Sequence, residues 1–209
     1  MLKLNNSNIF VSSDFHFHHR NICRGVTRWG FYGQKELEHA TRDFQTLKEM
    51  DLAIINSINS TISKNDTLFF LGDWSFGGIE YVHEASQSII CDNIHFIYGN
   101  HDHHIRNNKD NCQERFLSVS DYQKISVTEG ITNLELILCH YPIASWDNMR
   151  NGSLHIHGHL HRKGDQVFGL GKMMDVGIDG HPEFRPYHIS EIIKLLENRP
   201  KLSLYNDLG

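Results

Sequence analysis

The chain has 209 residues, 39% hydrophobic and 22% charged, with a formal net charge of -5 and an isoelectric point near 6.3. This is the composition of an ordinary globular domain, long enough for a sizeable core. It gives no general electrostatic attraction for nucleic acid, and no run of about 18 apolar residues offers a membrane span.

The opening stretch MLKLNNSNIFVSSD lacks the apolar core and cleavage site of a signal peptide. Asn8 to Ser13 reads as a first strand that ends in Asp14 and His16. The segment after it is aromatic and basic, with His18, His19, Arg20, Arg24 and Arg28. Such a loop binds an anion if it lies beside a metal site, and is otherwise solvated, with Trp29 and Phe31 folded on the core. From Gln34 to about Ser60, Leu37, Ala40, Phe44, Leu47, Ile54, Ile55 and Ile58 recur at helical spacing and predict one long helix. Thr67 to Leu71 is a second strand running into GDWSFGG, followed by a helix from about Ile79 to Cys91.

The third strand lies in IHFIYGNHD, from Ile94 to Asp102, and stops in Gly99, Asn100, His101 and Asp102. Leu117 to Val127 is expected to carry an edge strand. Leu134 to Cys139 is a strand ending in His140. Leu154 to His157 is another, ending in Gly158, His159, Leu160 and His161. Alternation puts His155 and His157 on one side and Leu154 and Ile156 on the other. A hairpin-like stretch from Gln166 to Ile178 follows, and Ser190 caps a last helix, Glu191 to Asn198. Strands alternating with helices predict an α/β class and a single domain over 1–209. Cys23, Cys91, Cys112 and Cys139 form no C-x-x-C pair, which argues against a thiolate zinc site and fits a reducing cytoplasm.

Five strand ends therefore carry residues able to bind a metal, and in α/β sheets these ends are where ligands bind. Together they are Asp14, His16, Asp73, Asn100, His140, His159 and His161. Nitrogen and oxygen donors without thiolate suit manganese, iron or zinc better than calcium or a structural zinc finger. Seven donors exceed one tetrahedral zinc and match two metals sharing a bridging carboxylate, as in phosphoryl-transfer hydrolases. The other histidines read more plainly. His95, His155 and His157 pair with polar groups of the core; His103 and His104 start a solvated helix or touch substrate; His39, His83, His181 and His188 lie on the surface. Trp74 and Trp146 pack in the core or, alternatively, stack a base.

The ordered set Asp14-Phe15-His16, Gly72-Asp73, Gly99-Asn100-His101-Asp102, His140 and Gly158-His159-Leu160-His161 resembles the calcineurin-like metallophosphoesterase superfamily, in its small bacterial and phage form. The resemblance runs from about Phe10 to His161, and the tail MMDVGIDGHPEFRPYHISEI is similar to the closing strand and helix of small members. It implies an α/β/β/α fold, a β-sandwich of two mixed sheets flanked by helices. It implies two divalent metals, manganese first, with iron, zinc or nickel as alternatives. One would take Asp14, His16 and His161, the other Asn100, His140 and His159, with Asp73 bridging. A metal-bridging hydroxide would attack phosphorus in line, His101 would assist the leaving group, and Asp102 would orient His101 or hold the loop. His19 stands where small members often carry a histidine and is a candidate substrate contact. The segment Gly72-Asp73-Trp74-Ser75-Phe76-Gly77-Gly78 lacks the Asp-Arg pair of the Ser/Thr phosphatases, which argues against phosphoprotein substrates. The expected partner is a small phosphodiester, nucleotide-type, with no membrane. A phosphomonoesterase, a nuclease and a non-catalytic scaffold are the alternatives.

Overall fold

The computed structural model describes residues 2–4, 8–23, 42–129, 132–161 and 171–202. In chain order its first elements are β1 (Leu2–Leu4), β2 (Ile9–Ser12), α1 (Arg20–Cys23), α2 (Leu47–Thr61), β3 (Thr67–Phe70), α3 (Ile79–Ser88) and β4 (Asn93–Ile97). Then come α4 (His103–Asn107), α5 (Lys109–Cys112), β5 (Ser118–Ser120), β6 (Tyr122–Glu129), β7 (Thr132–Cys139), β8 (Leu154–His157), β9 (Met173–Asp175), β10 (Tyr187–His188) and α6 (Ile189–Leu196). Two mixed sheets result, ordered β10-β2-β3-β4-β5 and β1-β6-β7-β8-β9. In the first, β2, β3, β4 and β5 pair in parallel and β10 is antiparallel to β2. In the second, β7, β8 and β9 run parallel, and β6 is antiparallel to β7 and parallel to β1.

The near-continuous apolar runs of β2, β3 and β4 are what a sheet buried on both faces requires. Phe10, Leu68, Phe70, Ile94 and Phe96 pack with Met50, Ile54 and Ile58 of α2 and Val82 and Ala85 of α3. The alternating set Ile9, Val11, Phe69, Leu71 and Ile97 meets Ile125, Val127, Leu136, Leu138, Leu154 and Ile156 of the second sheet. That shared layer is the sandwich core, and Ile189, Ile192 and Leu196 of α6 complete it. The outer face of the second sheet is covered by Trp146 and Met149, packed on Ile137 and Met173. His155 and His157 lie on that outer side near Trp146, as alternation predicts, and both are fully buried. No helix among the described residues is long and apolar enough to cross a membrane.

Several boundaries differ from the sequence reading. The long helix begins at Leu47, because Thr46 caps it: its Oγ1 accepts the Glu49 N–H (3.1 Å) while the Glu49 carboxylate accepts the Gln45 N–H (3.0 Å). Thr46-Leu47-Lys48-Glu49 is a capping-box signature that the apolar periodicity overran. Phe44 packs on the same cluster as the helix without belonging to it, which extended the apparent period. The expected start at Gln34 lies outside the described residues. The stretch Leu117 to Val127 carries the expected edge strand, β5, which closes the first sheet, and also a strand not expected: Asp121 turns the chain, and β6 sits inside the second sheet between β1 and β7. The hairpin-like stretch 166–178 lies partly outside the described residues, and its end, β9, pairs in parallel with β8. The α3 helix stops at Ser88, short of Cys91. The α6 cap is His188, not Ser190: His188 Nδ1 accepts the Ser190 N–H (3.3 Å), and Glu191 accepts the His188 N–H (2.7 Å). His181, expected at the surface, is buried against the Tyr187 ring (4.5 Å).

Candidate metal centre

The carboxyl ends of β2, β3 and β4 in one sheet and of β7 and β8 in the other converge. Backbone pairing continues past the strands: Asp14 N–H donates to Gly72 O (2.9 Å), His16 N–H to Asp73 O (3.0 Å) and Gly158 N–H to His140 O (2.9 Å). Then the chain turns sharply. Asp14, His16, Asp73, His159 and His161 all have positive φ, between 49° and 74°. Five of the seven strand-end candidates thus sit in a backbone region that side-chain-bearing residues avoid, at about 1–3 kcal/mol each. Such strain persists where the surroundings over-determine it, and it marks functional loops. Gly72 and Gly99 show how tight the surroundings are. A methyl group on Gly72, itself at φ +92°, would lie 2.4 Å from Gly99 N, and one on Gly99 would lie 2.2 Å from Asp73 Oδ1.

Each carboxylate uses one oxygen for the protein and turns the other inward. Asp14 Oδ2 accepts from Ser13 Oγ (2.6 Å) and the His159 N–H (2.9 Å). Asp14 Oδ1 has no hydrogen-bond partner and faces His16 Nε2 (3.9 Å) and His161 Nε2 (3.7 Å). Asp73 Oδ1 accepts the His101 N–H (2.9 Å). Asp73 Oδ2 lies 3.5 Å from His16 Nε2 and 3.6 Å from His140 Nε2. His16 Nε2 is buried without a hydrogen bond. His140 Nδ1 reaches Leu71 O (2.7 Å), which it can do only by donating, and this turns Nε2 toward Asn100 Oδ1 (3.0 Å). Asn100 Oδ1 also lies 3.0 Å from His159 Nδ1.

Buried acceptors that converge on one another without donors are what a cation site needs. Two groups could each hold a metal ion: Asp14, His16 and His161, and Asp73, His140 and His159. The geometry brings all seven predicted ligands together, with Asp73 Oδ2 facing a histidine of each group.

The electrostatics agree. Burial pushes Asp73 above the carboxylate range, and the neighbouring charges of Asp14 and Asp102 add to it. Burial, with His161 and Arg42 nearby, holds His16 well below the imidazole range, and burial takes His19 down to about 4. His161 runs the other way: burial lowers it, but Asp14 and Asp179 outweigh that and hold it up at about 9. In the metal-free protein the folded state therefore keeps a proton on His161 that the unfolded chain releases above about pH 6.5. The stability this provides is complete below about 6.5 and lost as pH rises through about 9, a swing on the order of 3 kcal/mol. Asp73 acts in the same direction from lower pH. Thermal melts in a chelating buffer are expected to fall between pH 6.5 and 9.5. Manganese should reverse the trend, releasing protons that calorimetry in two buffers can count. A metal-free melting temperature that rises with pH would contradict this charge arrangement.

Four further side chains build the site, and sequence reasoning had not singled out three of them. Asp102 accepts the N–H groups of Asp73 (2.8 Å), Trp74 (2.9 Å) and Gly99 (2.6 Å), which is the loop-holding role of the two expected. Asp175 accepts from Leu160 (3.2 Å) and Gly177 (2.8 Å) and fixes the Gly158–His161 turn. Arg42 and Asp179 lie behind Asp14 and His161. His101 sits beside the centre, its Nε2 4.0 Å from Asp73 Oδ2. His19 Nδ1 lies 3.3 Å from His16 Nδ1, and its ring stacks on Phe76 at 3.7 Å. Trp74 and Trp146 are both buried, so neither is open to a base. The exposed aromatics at the rim are Phe76, 4.7 Å from the His101 ring, and Tyr141, 5.0 Å from the His159 ring. Arg24 and Arg28 lie outside the described residues.

No protein-family model matches the chain, and no curated protein matches it. Among solved structures, a protein of unknown function from Aquifex aeolicus is similar over 91% of this chain and 100% of its own, with 21% identity and a TM-score of 0.59. A novel archaeal phosphodiesterase is similar over 81% of each chain, with 16% identity and a TM-score of 0.41. The first likeness is one of fold: the α/β architecture of two mixed sheets flanked by helices is shared with the Aquifex aeolicus protein, while the second score is too low to place two chains in one fold.

Proposed function

We propose that this chain is a calcineurin-like metallophosphoesterase that hydrolyses a small phosphodiester with two divalent cations, manganese favoured. The observation that carries the reading is the single oxygen, Asp73 Oδ2, set between His16 Nε2 and His140 Nε2, with a group of possible ligands on either side. Seven oxygen and nitrogen donors without thiolate suit manganese, iron or zinc. When bound, two such cations supply a nucleophile at neutral pH and neutralise charge on the phosphate oxygens.

The residues divide the remaining work. Asp14 and Asp73 supply negative charge from carboxylates whose orientation is fixed by hydrogen bonds to the other oxygen. His16, His159 and His161 contribute ring nitrogens held in place by the strained turns, and His140 contributes one fixed through its contact with Leu71 O. His101, partly exposed and outside both ligand groups, would protonate a leaving oxygen; its Nε2, 4.0 Å from Asp73 Oδ2, supports that role. Phe76 and Tyr141 offer planar apolar faces at two sides of the mouth, which supports a substrate with a flat group such as a nucleobase. The sequence motifs support the family. The four cysteines are thiols, which fits a cytoplasmic enzyme.

The test is hydrolysis of bis-p-nitrophenyl phosphate against p-nitrophenyl phosphate, after metal stripping and return of manganese. Metal-dependent cleavage, faster for the diester, is expected. Faster cleavage of the monoester would replace the phosphodiesterase with a phosphomonoesterase. No turnover of either ester or of a nucleotide panel, with two metals bound, would overturn catalysis in favour of a scaffold.

A further inference from the structure

Behind the Asp14 side of the site lies an enclosed ion pair. Asp179 and Arg42 side chains have no solvent exposure. Arg42 Nε donates to Asp179 Oδ1 (2.6 Å) and Nη2 to Asp179 Oδ2 (3.0 Å), a two-pronged grip. The same guanidinium donates from Nη1 to Phe15 O (2.8 Å) and from Nη2 to Asp14 O (2.6 Å). It thus holds the carbonyls on either side of the turn between Asp14 and His16, both at positive φ. Asp179 Oδ2 also meets His161 Nδ1 at 2.7 Å.

A buried ion pair is a poor device for stability alone, because removing two charges from water costs more than their attraction commonly returns. The third partner decides what this one is for. An ionised carboxylate only accepts, so the proton on this side of His161 belongs to Nδ1. Nε2 is then the ring nitrogen left for a cation, and it faces Asp14 Oδ1, 3.7 Å away. Among the described ligands His161 is the histidine so backed: His140 leans on a backbone carbonyl, His16 on His19, and His159 turns Nδ1 to Asn100. A carboxylate behind a ligating imidazole fixes its tautomer and raises its basicity, and removing it typically weakens metal binding 10–100-fold.

We propose that Asp179, held by Arg42, is a positioning residue for the Asp14–His16–His161 group: it keeps His161 Nε2 turned inward and sets how tightly that group holds a divalent cation. This rests on reading the site as a metal centre. It predicts that the two cation positions respond differently to one substitution, although neither Asp179 nor Arg42 belongs to either group of possible ligands.

The experiment is calorimetric titration of the metal-free full-length chain with manganese, for wild type, Asp179→Asn and Asp179→Glu. A metal-free melting curve for each variant is the folding control. Wild type is expected to take two equivalents. Asp179→Asn should keep one position near wild-type affinity and weaken the other about 10–100-fold, with partial recovery in Asp179→Glu. In zinc-loaded wild type, long-range proton–nitrogen spectra should show His161 protonated at Nδ1; this reads the tautomer even if Asp179→Asn does not fold. Equal weakening of both positions, unchanged affinity at both, or His161 protonated at Nε2 would overturn the proposal. A wild-type chain that binds no divalent cation would overturn the metal-centre reading, and this proposal with it. Two normal cations in Asp179→Asn would overturn this proposal alone.

Discussion

Asp73→Asn is expected to lower turnover by about 10³-fold or more while leaving the fold intact. Losing one preorganised electrostatic contact in an active site typically costs about 10²–10³. Asp73 is shared by two cation positions, so its loss should reach or exceed the upper figure. The amide has almost the shape of the carboxylate and can still accept the His101 N–H through one oxygen. What replaces Oδ2 is an NH₂ group pointing at His16 Nε2 and His140 Nε2. It would donate to those lone pairs and occupy them. Metal content is therefore expected to fall at both positions, in contrast to the one-sided loss expected of Asp179→Asn. The metal-free variant should melt no lower than wild type. Burial and the charges of Asp14 and Asp102 already disfavour an ionised Asp73, and the neutral amide removes that conflict. Activity, metal content and melting temperature measured on one preparation check all three. A variant with two cations and normal turnover would sink the shared-carboxylate arrangement.

The site was legible in the sequence where each ligand followed an apolar run that could only be a strand. A buried parallel strand is a local signal, and its carboxyl end is a place where ligands gather. Asp14, His16, Asp73, Asn100, His140, His159 and His161 were legible on that rule as a set, since a lone carboxylate or histidine after a strand is common in loops. Their side chains converge because β2, β3 and β4 lie next to one another, as do β7 and β8. Arg42, Asp175 and Asp179 had no such signal. Their work is to hold backbone groups and ligands far away in the chain, as Arg42 does for Asp14 and Asp179, and neither periodicity nor turn chemistry encodes that. Asp102 was visible because it adjoins Asn100, but its three backbone acceptances from two loops were not.

The fold was readable to a similar depth. The runs at Ile9–Ser12, Thr67–Phe70, Asn93–Ile97 and Leu154–His157 are short, apolar and closed by glycine or ligand residues, and each is a strand. Failure came where one run served two layers. From Leu117 to Val127 the residue types change little, yet Asp121 marks the passage from one sheet to the other. Strand β1 is three residues long and pairs with a segment more than a hundred positions away, so local pattern carries nothing of it. Thr46 and His188 show the complementary failure: a cap depends on one or two hydrogen bonds and outweighs several residues of apolar period.

His101→Ala is expected to lower kcat by on the order of 10²–10⁴-fold on a diester with an alkyl leaving group, with the metal content of wild type. His101 belongs to neither ligand group, and its link to Asp73 Oδ1 runs through its backbone N–H, which alanine keeps. The ring lies 4.7 Å from Phe76 and 5.4 Å from His16, at the partly exposed side of the centre. Burial, with His140 next, sets its pKa below the ordinary imidazole value, against an opposing pull from Asp14. Such a group gives up a proton more readily than free imidazole. If its task is to protonate the leaving oxygen, a p-nitrophenolate leaving group, which needs no proton, should lose far less in the variant than an alkoxide. Wild-type turnover of the alkyl diester should fall as pH rises through the depressed pKa, and the variant should lose that limb of the profile. Equal losses on both leaving groups would assign His101 to charge stabilisation instead. An emptied cation position would make it a ligand.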